Sequence, residues 1–211
     1  MSVKGYILDL DGVICDTAVF HFKAWSRLAE EYGISLNQHD HEQLKGVDRE
    51  ASLRYILNKA GIAPDPTLLQ RDMERKNQWY LEMVAGMSPA DLFPGTLLFL
   101  EEAKAKNIGV ALGSASKNAK LVLDKLNIAH MFDAIVDGSI VENGKPHPET
   151  FLKAAAMLNL QPEECIVFED APSGIQAAIA AGCRAIGIGN PESLHGASVV
   201  IPSLASFVPH H

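Results

Sequence analysis

Two aspartates stand two residues apart where the first apolar stretch of the chain ends. Asp9 and Asp11 follow the run at residues 3–8, and Gly12 comes directly after them. A structural interpretation is that the aspartates cap a turn in which Gly12 supplies an unusual backbone angle. A chemical interpretation is a carboxylate nucleophile beside an acid/base, because carboxylates form covalent phosphoryl intermediates and a second carboxyl group can move the proton.

Phosphoryl chemistry at a carboxylate requires positive charge nearby. A carboxylate about 4 Å from a dianionic phosphate meets a repulsion on the order of 8 kcal/mol at an effective dielectric constant of about 20. A Mg²⁺ ion bound by carboxylate and phosphate oxygens removes most of that repulsion. Glu169 and Asp170, which follow the apolar run "CIVF", are the additional candidate ligands. The alternative for such a pair is simple solvation in a loop.

Two further segments offer contacts to a phosphoryl group. Ser114 follows the second core strand, and Ser116 and Lys117 are expected to open the next helix with Ser116 as its N-cap. A hydroxyl beside the amides of a helix N-terminus suits a phosphate. Lys145 lies in "GKPHP", where the following proline restricts its backbone. Its cation is expected to neutralise the phosphate and the first aspartate, although a lone loop lysine is usually only solvated.

The elements that must position these residues alternate along the chain. Short apolar runs predict strands at 3–8, 108–112, 134–136, 165–168, 185–188 and 198–201. Amphipathic patterns predict helices at 95–106, 117–126, 148–158 and 172–181. Apolar strands separated by helices are typical of an α/β protein with a parallel sheet covered on both faces. Ligands of such sheets bind outside the carboxyl ends of the strands, where the candidate residues fall.

The region between the first two strands interrupts this alternation, because it carries only helical patterns. These cover residues 19–32, 38–44, 49–60 and 66–86. We therefore predict an inserted all-helical domain at 17–92 and a core domain formed by 1–16 and 93–211. The two connections, near residues 15–18 and 88–94, are expected to act as hinges.

Composition and charge exclude several classes of protein. The chain has 211 residues, is 47% hydrophobic and 21% charged, and has a formal net charge of -8. This balance argues against a nucleic-acid or anionic-membrane surface and leaves a small anionic ligand open. Cys15, Cys165 and Cys183 lack metal-ligand spacing and are expected to be buried. Without a signal peptide or a membrane-length apolar run in the pattern, a cytoplasmic location is expected.

Taken together and in this order, the motifs resemble the haloacid dehalogenase superfamily of aspartate-nucleophile phosphotransferases. The matching pieces are "DLDGV", Ser114, Lys145 and "EDAPSG", and the resemblance covers essentially the whole chain. It implies a Rossmann-like core with a helical cap of the phosphoglucomutase type and Mg²⁺ as the cofactor. Within this superfamily, Asp11 favours phosphoryl transfer, because cleavage of a carbon–halogen bond needs no acid at that position.

A stretch of the helical region, "LKGVDREASL", adds a second candidate phosphate site. Arg49 can bind a phosphate through two parallel hydrogen bonds, and Gly46 lets the amides at Gly46 and Val47 approach closely. Asp48 is either a helix N-cap or weakens phosphate binding slightly, and a solvated basic face is the alternative for the whole stretch. A mutase needs two phosphate sites. The stretch is similar to the β-phosphoglucomutase family, as are "HFKAW", "RKN" and "SASKNA".

That second resemblance implies an isomerase that interconverts β-D-glucose 1-phosphate and glucose 6-phosphate through β-glucose 1,6-bisphosphate. It implies Asp9 as nucleophile and Asp11 as general acid/base, with Ser114 and Lys145 holding the transferring phosphoryl group. Mg²⁺ is expected on Asp9, on the backbone carbonyl of Asp11, and on Asp170, with Glu169 bound directly or one step behind. The implied substrate-binding residues are Thr17, His21, Trp25, Lys45, Gly46, Val47, Arg49, Ser52, Lys76, Ala115, Ser116, Lys117 and Asn118.

Two other functions fit parts of the sequence. A sugar-phosphate phosphatase on the same fold would let water attack the aspartyl phosphate, and a catalytically idle protein would only bind or regulate. The expected partner is a small sugar phosphate, with no nucleic acid and no membrane, and a monomer is expected. His147 follows "GKP" where members of the family often carry a small or acidic residue, and the sequence assigns it no role.

Overall fold

A six-stranded parallel sheet organises the chain in the computed structural model, which describes residues 2–208. Its strands are β1 (Gly5–Leu8), β2 (Gly109–Gly113), β3 (Ala134–Val136), β4 (Cys165–Glu169), β5 (Arg184–Ile188) and β6 (Val199–Ile201). They lie in the order β3-β2-β1-β4-β5-β6, and every neighbouring pair is parallel. The predicted strands and the predicted α/β fold are therefore confirmed, with strand ends that differ by one or two residues.

Eight helices accompany the sheet within the described residues. They are α1 (Ala18–Glu31), α2 (Gln38–Leu44), α3 (Arg49–Lys59), α4 (Pro66–Val84), α5 (Thr96–Ala105), α6 (Ala119–Lys125), α7 (Glu149–Met157) and α8 (Pro172–Ala180). Short 3₁₀ turns lie at Pro89–Asp91, Ala129–Met131, Pro162–Glu164 and Leu204–Ser206. Asp48 caps α3 by accepting a hydrogen bond from the Ala51 amide at 2.9 Å, which confirms the N-cap interpretation of that residue.

The start of α6 differs from the prediction. The helix begins at Ala119 rather than at residue 117, and its first flanking residue is Asn118, so Ser116 is not the N-cap. The physical reason is that the Ser116 hydroxyl closes a turn ahead of the helix by accepting the Asn118 amide at 3.3 Å. Ser116 and Lys117 therefore lie in a loop ahead of the helix, where the Ser116 amide donates to the Ser114 hydroxyl and the Ser116 carbonyl accepts from the amides of Ala119 and Gly138.

The central strand β1 is fully buried and sets the position of the site. Leu8 aligns with Leu112 of β2 on one side and with Phe168 of β4 on the other. Alternate residues of β1 enter different apolar clusters, since Leu8 packs on one face of the sheet and Ile7 on the other. The chain segments that follow the three strands consequently leave the sheet at the same edge.

Helices α1 to α4 form an apolar cluster of their own. It includes Trp25, Leu28, Leu53, Ile56 and Leu57. Other residues of α1 and α4 pack into the cluster beneath the sheet, which joins the helical region to the core. The division into a core and a helical cap at residues 17–92 stays a prediction, and the separate cluster supports it.

Among the helices at residues 2–208, none has the length and the hydropathy that a membrane span requires.

Candidate active site

Asp9 stands at the carboxyl end of β1 and is 3% exposed. Its amide continues the sheet by donating to the Phe168 carbonyl at 3.0 Å. The Lys145 ammonium donates to Asp9 Oδ1 at 2.7 Å and also contacts the Glu169 carboxylate. The side chain of Lys145 is completely buried. The predicted contact between the loop lysine and the first aspartate is present.

Burial alone would lower the pKa of Lys145, but the carboxylates of Asp9 and Glu169 raise it above the ordinary lysine value. The ammonium therefore remains charged. Removing one member of a buried ion pair costs about 3–5 kcal/mol because the other charge is left without a partner. The three side chains form a single buried unit with a fixed charge at its centre.

The loop that carries Lys145 is held by Glu149 in the first turn of α7. The Glu149 carboxylate accepts from the amides of Glu142 and Asn143, both at 2.9 Å, and from Lys153 at 2.6 Å. His147 Nδ1 accepts from the Glu149 amide at 3.3 Å. The role of His147 in this structure is thus local, at the start of α7.

Asp11 lies beside Asp9 and accepts a hydrogen bond from the Thr17 hydroxyl. Burial of its carboxyl group, followed by the negative charge of Asp9, raises the pKa of Asp11 to about 8. A carboxyl group that holds its proton near neutral pH is suited to general acid/base work. Thr17, which is predicted to bind substrate, is completely buried in this structure and donates this hydrogen bond to Asp11.

Asp9, Glu169 and Asp170 form an acidic cluster in which one carboxylate oxygen from each lies within 4.8 Å of the others. Burial, and then the neighbouring acids, raise the pKa of Asp170 well above its usual range, and burial also raises that of Glu169 to about 7. Such a set of oxygens fits a hard divalent cation such as Mg²⁺. Glu169 accepts from Lys145 and from the Ala171 amide, so its oxygens are already engaged.

Gly12 keeps the first loop close to this cluster. It has φ of +78°, and a Cβ at this position would lie 2.0 Å from Asp170 Oδ2. A side chain here would therefore displace Asp170 as well as strain the backbone. The glycine of the "DLDG" motif serves the acidic cluster rather than the turn alone.

Ser114 follows β2 at the same edge of the sheet. Its amide donates to the Val136 carbonyl at 2.9 Å, and its hydroxyl accepts the Ser116 amide at 3.1 Å. The residue is 1% exposed. Ser114 is thus fixed by the strand, one position beyond the level of Asp9.

A cavity of about 720 Å³, which includes its open mouth, separates the sheet edge from the helical region. Its core side is lined by Asp9, Asp11, Ala115, Ser116, Lys117 and Asp170. Its helical side is lined by Ala18, His21, Phe22, Trp25, His41, Leu44, Lys45, Gly46, Val47, Arg49, Ser52 and Lys76. Most predicted substrate-binding residues line this one cavity, whereas Thr17 and Asn118 lie outside its lining.

Arg49 reaches across the helical region to Asn77 of α4. Its Nη2 donates to Asn77 Oδ1 at 2.8 Å, and Asn118 Nδ2 donates to the same oxygen at 2.8 Å. Burial lowers the pKa of Arg49 from its usual value. Asn77 therefore connects an arginine of the cavity to the loop after β2. Arg75, from the same "RKN" motif, points elsewhere and pairs with Glu31 at 2.7 Å.

Lys76 is buried among aromatic rings. Its ammonium lies 2.6 Å from His21 Nδ1 and 4.6 Å from the centre of the Trp25 ring. His21 in turn stacks on Tyr80 with ring centres 4.0 Å apart. Burial lowers the pKa of Lys76 to about 7 and that of His21 well below its ordinary value. This corner of the cavity therefore holds buried nitrogen groups in which burial disfavours the positive charge.

The helical region touches the core at Gly46. A Cβ there would lie 2.9 Å from Ser173 Oγ and 3.2 Å from the Cβ of Ala171, and φ at Gly46 is +66°. Lys45 extends toward the acidic cluster, with its ammonium 3.9 Å from Asp170 Oδ2. Ser52 faces its own helix, because its hydroxyl donates to the Asp48 carbonyl at 2.8 Å.

Four cavity residues were missed from the sequence: Ala18, Phe22, His41 and Leu44. They lie on α1 and α2, and only the packing of these helices brings them to the cavity. The spacing of these residues along the chain is that of any amphipathic helix, so it does not indicate a place in the cavity. Phe22 and Leu44 lie within "HFKAW" and "LKGVDREASL", two stretches that carry the resemblance, and this was the available indication for them.

Known proteins are similar to this chain in sequence and in fold. A family model described as haloacid dehalogenase-like hydrolase matches residues 3–182. The chain belongs to this family. The β-phosphoglucomutase of Bacillus subtilis (strain 168) is 42% identical over 201 residues, which cover 94% of this chain and 89% of the relative. Both the predicted superfamily and the predicted resemblance to β-phosphoglucomutases are confirmed by these matches.

Two further relatives extend the comparison. The crystal structure of β-phosphoglucomutase from Clostridium difficile superposes with a TM-score of 0.94 at 39% identity, covering 98% of this chain and 93% of that one. A phosphorylated carbohydrates phosphatase from Thermotoga maritima is 33% identical, covering 87% of this chain and 84% of the relative. The same family fold therefore serves both a mutase and a phosphatase among these relatives.

Proposed function

We propose that the chain is a β-phosphoglucomutase that interconverts β-D-glucose 1-phosphate and D-glucose 6-phosphate. The observation that carries this proposal is the single cavity that joins Asp9 and Asp11 at the core to Arg49 at the helical end. A substrate with two phosphates fits between these ends, one phosphate at each. The high identity to the Bacillus subtilis β-phosphoglucomutase along most of both chains supports the same reaction.

In this proposal, Asp9 carries the phosphoryl group and Asp11 moves the proton. The sugar hydroxyl attacks phosphorus as Asp11 removes its proton, and the bond from phosphorus to Asp9 breaks. The resulting bisphosphate exchanges its two ends, so that the other phosphate now faces Asp9. Asp9 then accepts that phosphoryl group, and Asp11 returns the proton to the departing sugar oxygen. The raised pKa of Asp11 suits it to hold the proton between these steps.

Two sets of residues are proposed to hold the phosphates. Ser114 and Lys145 bind the transferring group at the core, where Lys145 already contacts Asp9. Arg49 binds the distal phosphate from the helical end, together with Ser116 and Lys117, which line the same cavity. Asn118 acts through Asn77 rather than by touching the phosphate, since both asparagines belong to the Arg49 network.

Mg²⁺ is proposed as the cofactor. The carboxylates of Asp9 and Asp170 fit it, with the backbone carbonyl of Asp11 as a further proposed ligand. Glu169, whose oxygens accept from Lys145 and from the Ala171 amide, is proposed to bind it directly or to lie one step behind. When bound, Mg²⁺ supplies a positive charge that lowers the repulsion between the aspartate and the phosphate. The remaining lining residues predicted to bind substrate are proposed to contact the sugar: His21, Trp25, Lys45, Gly46, Val47, Ser52, Lys76 and Ala115.

The alternative is a sugar-phosphate phosphatase of the same family, as the Thermotoga maritima relative is named. Purified protein incubated with Mg²⁺, β-glucose 1-phosphate and a trace of β-glucose 1,6-bisphosphate separates the two. Steady formation of glucose 6-phosphate is expected. Free phosphate released in proportion to the sugar consumed would identify the phosphatase, and no turnover would identify an idle binding protein.

A helical cap at 17–92, a monomeric state and a cytoplasmic location also stay proposals.

A further inference from the structure

His41 lies in the cavity with a ring nitrogen that has no hydrogen-bond partner. Its Nε2 is buried and finds no donor or acceptor among residues 2–208. The ring packs on Phe22 with centres 4.4 Å apart, and both side chains line the cavity with Leu44. Buried polar groups are nearly always paired in native proteins, so this exception requires an explanation.

The imidazole is suited to an uncharged partner. Burial, and then the positive charge of Lys45, lower the pKa of His41, which favours the neutral ring near pH 7. A neutral imidazole offers one N–H and one acceptor nitrogen. A sugar hydroxyl donates and accepts, so it can pair with Nε2 in either tautomer. The apolar neighbours Phe22 and Leu44 suit the face of a sugar ring better than an anion.

The two phosphate ends of the cavity have other candidates, Lys145 at the core and Arg49 at the helical end. His41 belongs to neither phosphate end. Within the described residues, no hydrogen bond or ion pair joins its side chain to Lys145 or to Arg49. We propose that His41 Nε2 hydrogen-bonds one non-reacting hydroxyl of the sugar and so determines which sugars are accepted. This inference rests on the proposed function, because it requires a sugar phosphate in the cavity.

The test compares His41→Phe with the wild type on β-glucose 1-phosphate and on its 2-deoxy, 3-deoxy and 4-deoxy analogues. Phenylalanine keeps the ring that packs on Phe22 and removes the nitrogen. We expect kcat/KM for the full substrate to fall about tenfold, the effect of one lost hydrogen bond. For one analogue, the one that lacks the contacted hydroxyl, wild type and variant should have similar kcat/KM. An equal loss on every analogue, or no loss on any, overturns the inference.

Two further variants separate a polar contact from a packing effect. His41→Gln places an amide near the position of Nε2 and is expected to restore part of the lost kcat/KM. His39→Phe is the matched control, because His39 is exposed on the same helix, and it should leave all four substrates unchanged. If His41→Gln is no better than His41→Phe, the ring packs rather than recognises the sugar.

Measuring glucose 6-phosphate and free phosphate in every reaction distinguishes failure of the inference from failure of the proposed function. A wild type that releases only phosphate contradicts the mutase, yet the same four-substrate comparison still tests His41 through that release. A wild type with neither product from any sugar phosphate overturns both.

Discussion

The two ends of the cavity are built on opposite electrostatic principles. At the core end, Lys145 is buried between Asp9 and Glu169, so its positive charge is paired before any ligand arrives. At the helical end, neither Arg49 nor Lys76 forms an ion pair with a residue of the described part of the chain, and burial lowers the pKa of both. At the core end the cation is paired and lies beside the acidic cluster that is proposed to hold Mg²⁺, whereas the helical end is a buried excess of positive charge.

This difference indicates what each end contributes. A prearranged, paired site stabilises charge that develops during a reaction without reorganising. An unpaired, partly desolvated cation gains most when an anion enters, because the anion supplies the missing charge and hydrogen bonds. The free energy of substrate binding should therefore come mainly from the helical end, and the chemical step from the core end.

The largest expected effect is at the core end. Asp9→Asn keeps the shape of the side chain and removes the nucleophile, so turnover should fall at least about 10⁴-fold, measured as glucose 6-phosphate formed per unit time. Asp124→Asn, on the exposed face of α6, is the control and should keep the wild-type rate. Substantial turnover in Asp9→Asn would remove the aspartyl phosphate from the mechanism.

A smaller and more selective loss is expected at the helical end. Arg49→Ala removes charged hydrogen bonds to the distal phosphate, so the mutase kcat/KM should fall on the order of 10²-fold while slow phosphate release persists. Arg54→Ala, one turn further along α3 and exposed, should change neither activity. Equal loss of both activities in Arg49→Ala would mean that the two ends do not divide the work as described.

Lys76→Met tests the buried positive charge without substrate. Because the pKa of Lys76 is about 7 in the folded chain and 10.5 in a free lysine, the unfolded chain binds more protons between these values. The free energy of unfolding of the wild type should then rise with pH across this window by up to about 1.4 kcal/mol per pH unit. The free energy of unfolding of Lys76→Met lacks this rise with pH. The variant should therefore exceed the wild type in stability by the largest amount at pH 7 and below.

Urea unfolding at pH 6.5, 8 and 9.5 measures the advantage of Lys76→Met over the wild type. Lys120→Met, an exposed lysine on α6, serves as the control with no pH-dependent difference. If the difference in the free energy of unfolding between Lys76→Met and the wild type is the same at all three pH values, the pKa of Lys76 is not lowered in the folded chain.

The smallest expected effect concerns the connection between the ends. Asn77→Ala removes the oxygen that accepts from both Arg49 and Asn118, so kcat/KM should fall about threefold to tenfold, mainly through KM. Asn58→Ala, exposed on α3, should be neutral. A loss in Asn77→Ala as large as in Arg49→Ala would mean that Asn77 touches the phosphate itself.

The same contrast explains what could be predicted from the sequence. The carboxylates of the core end could be predicted because "DLDG" and "CIVFED" stand at the ends of strands, and parallel strands bring those ends together. Lys145 lies nine residues after β3 and was predicted from its own motif, "GKPHP". The helical end was readable only in part. His41 and Phe22 meet through the packing of α1 against α2, which no spacing reveals. Ser116 has the side chain of a good N-cap, but its hydroxyl closes a turn instead, so the predicted start of α6 was wrong.

The contact at Gly46 separates two properties: the docking of the helical region on the core, and the recognition of the sugar. The helical region meets Ala171 and Ser173 through a residue without a side chain, held at positive φ. This contact with the core therefore lies at a position without a side chain, while the proposed sugar-facing positions on α1 and α2 lie elsewhere. A library that randomises Phe22, His41 and Leu44 and keeps Gly46 can explore new substrates while it preserves this contact with the core.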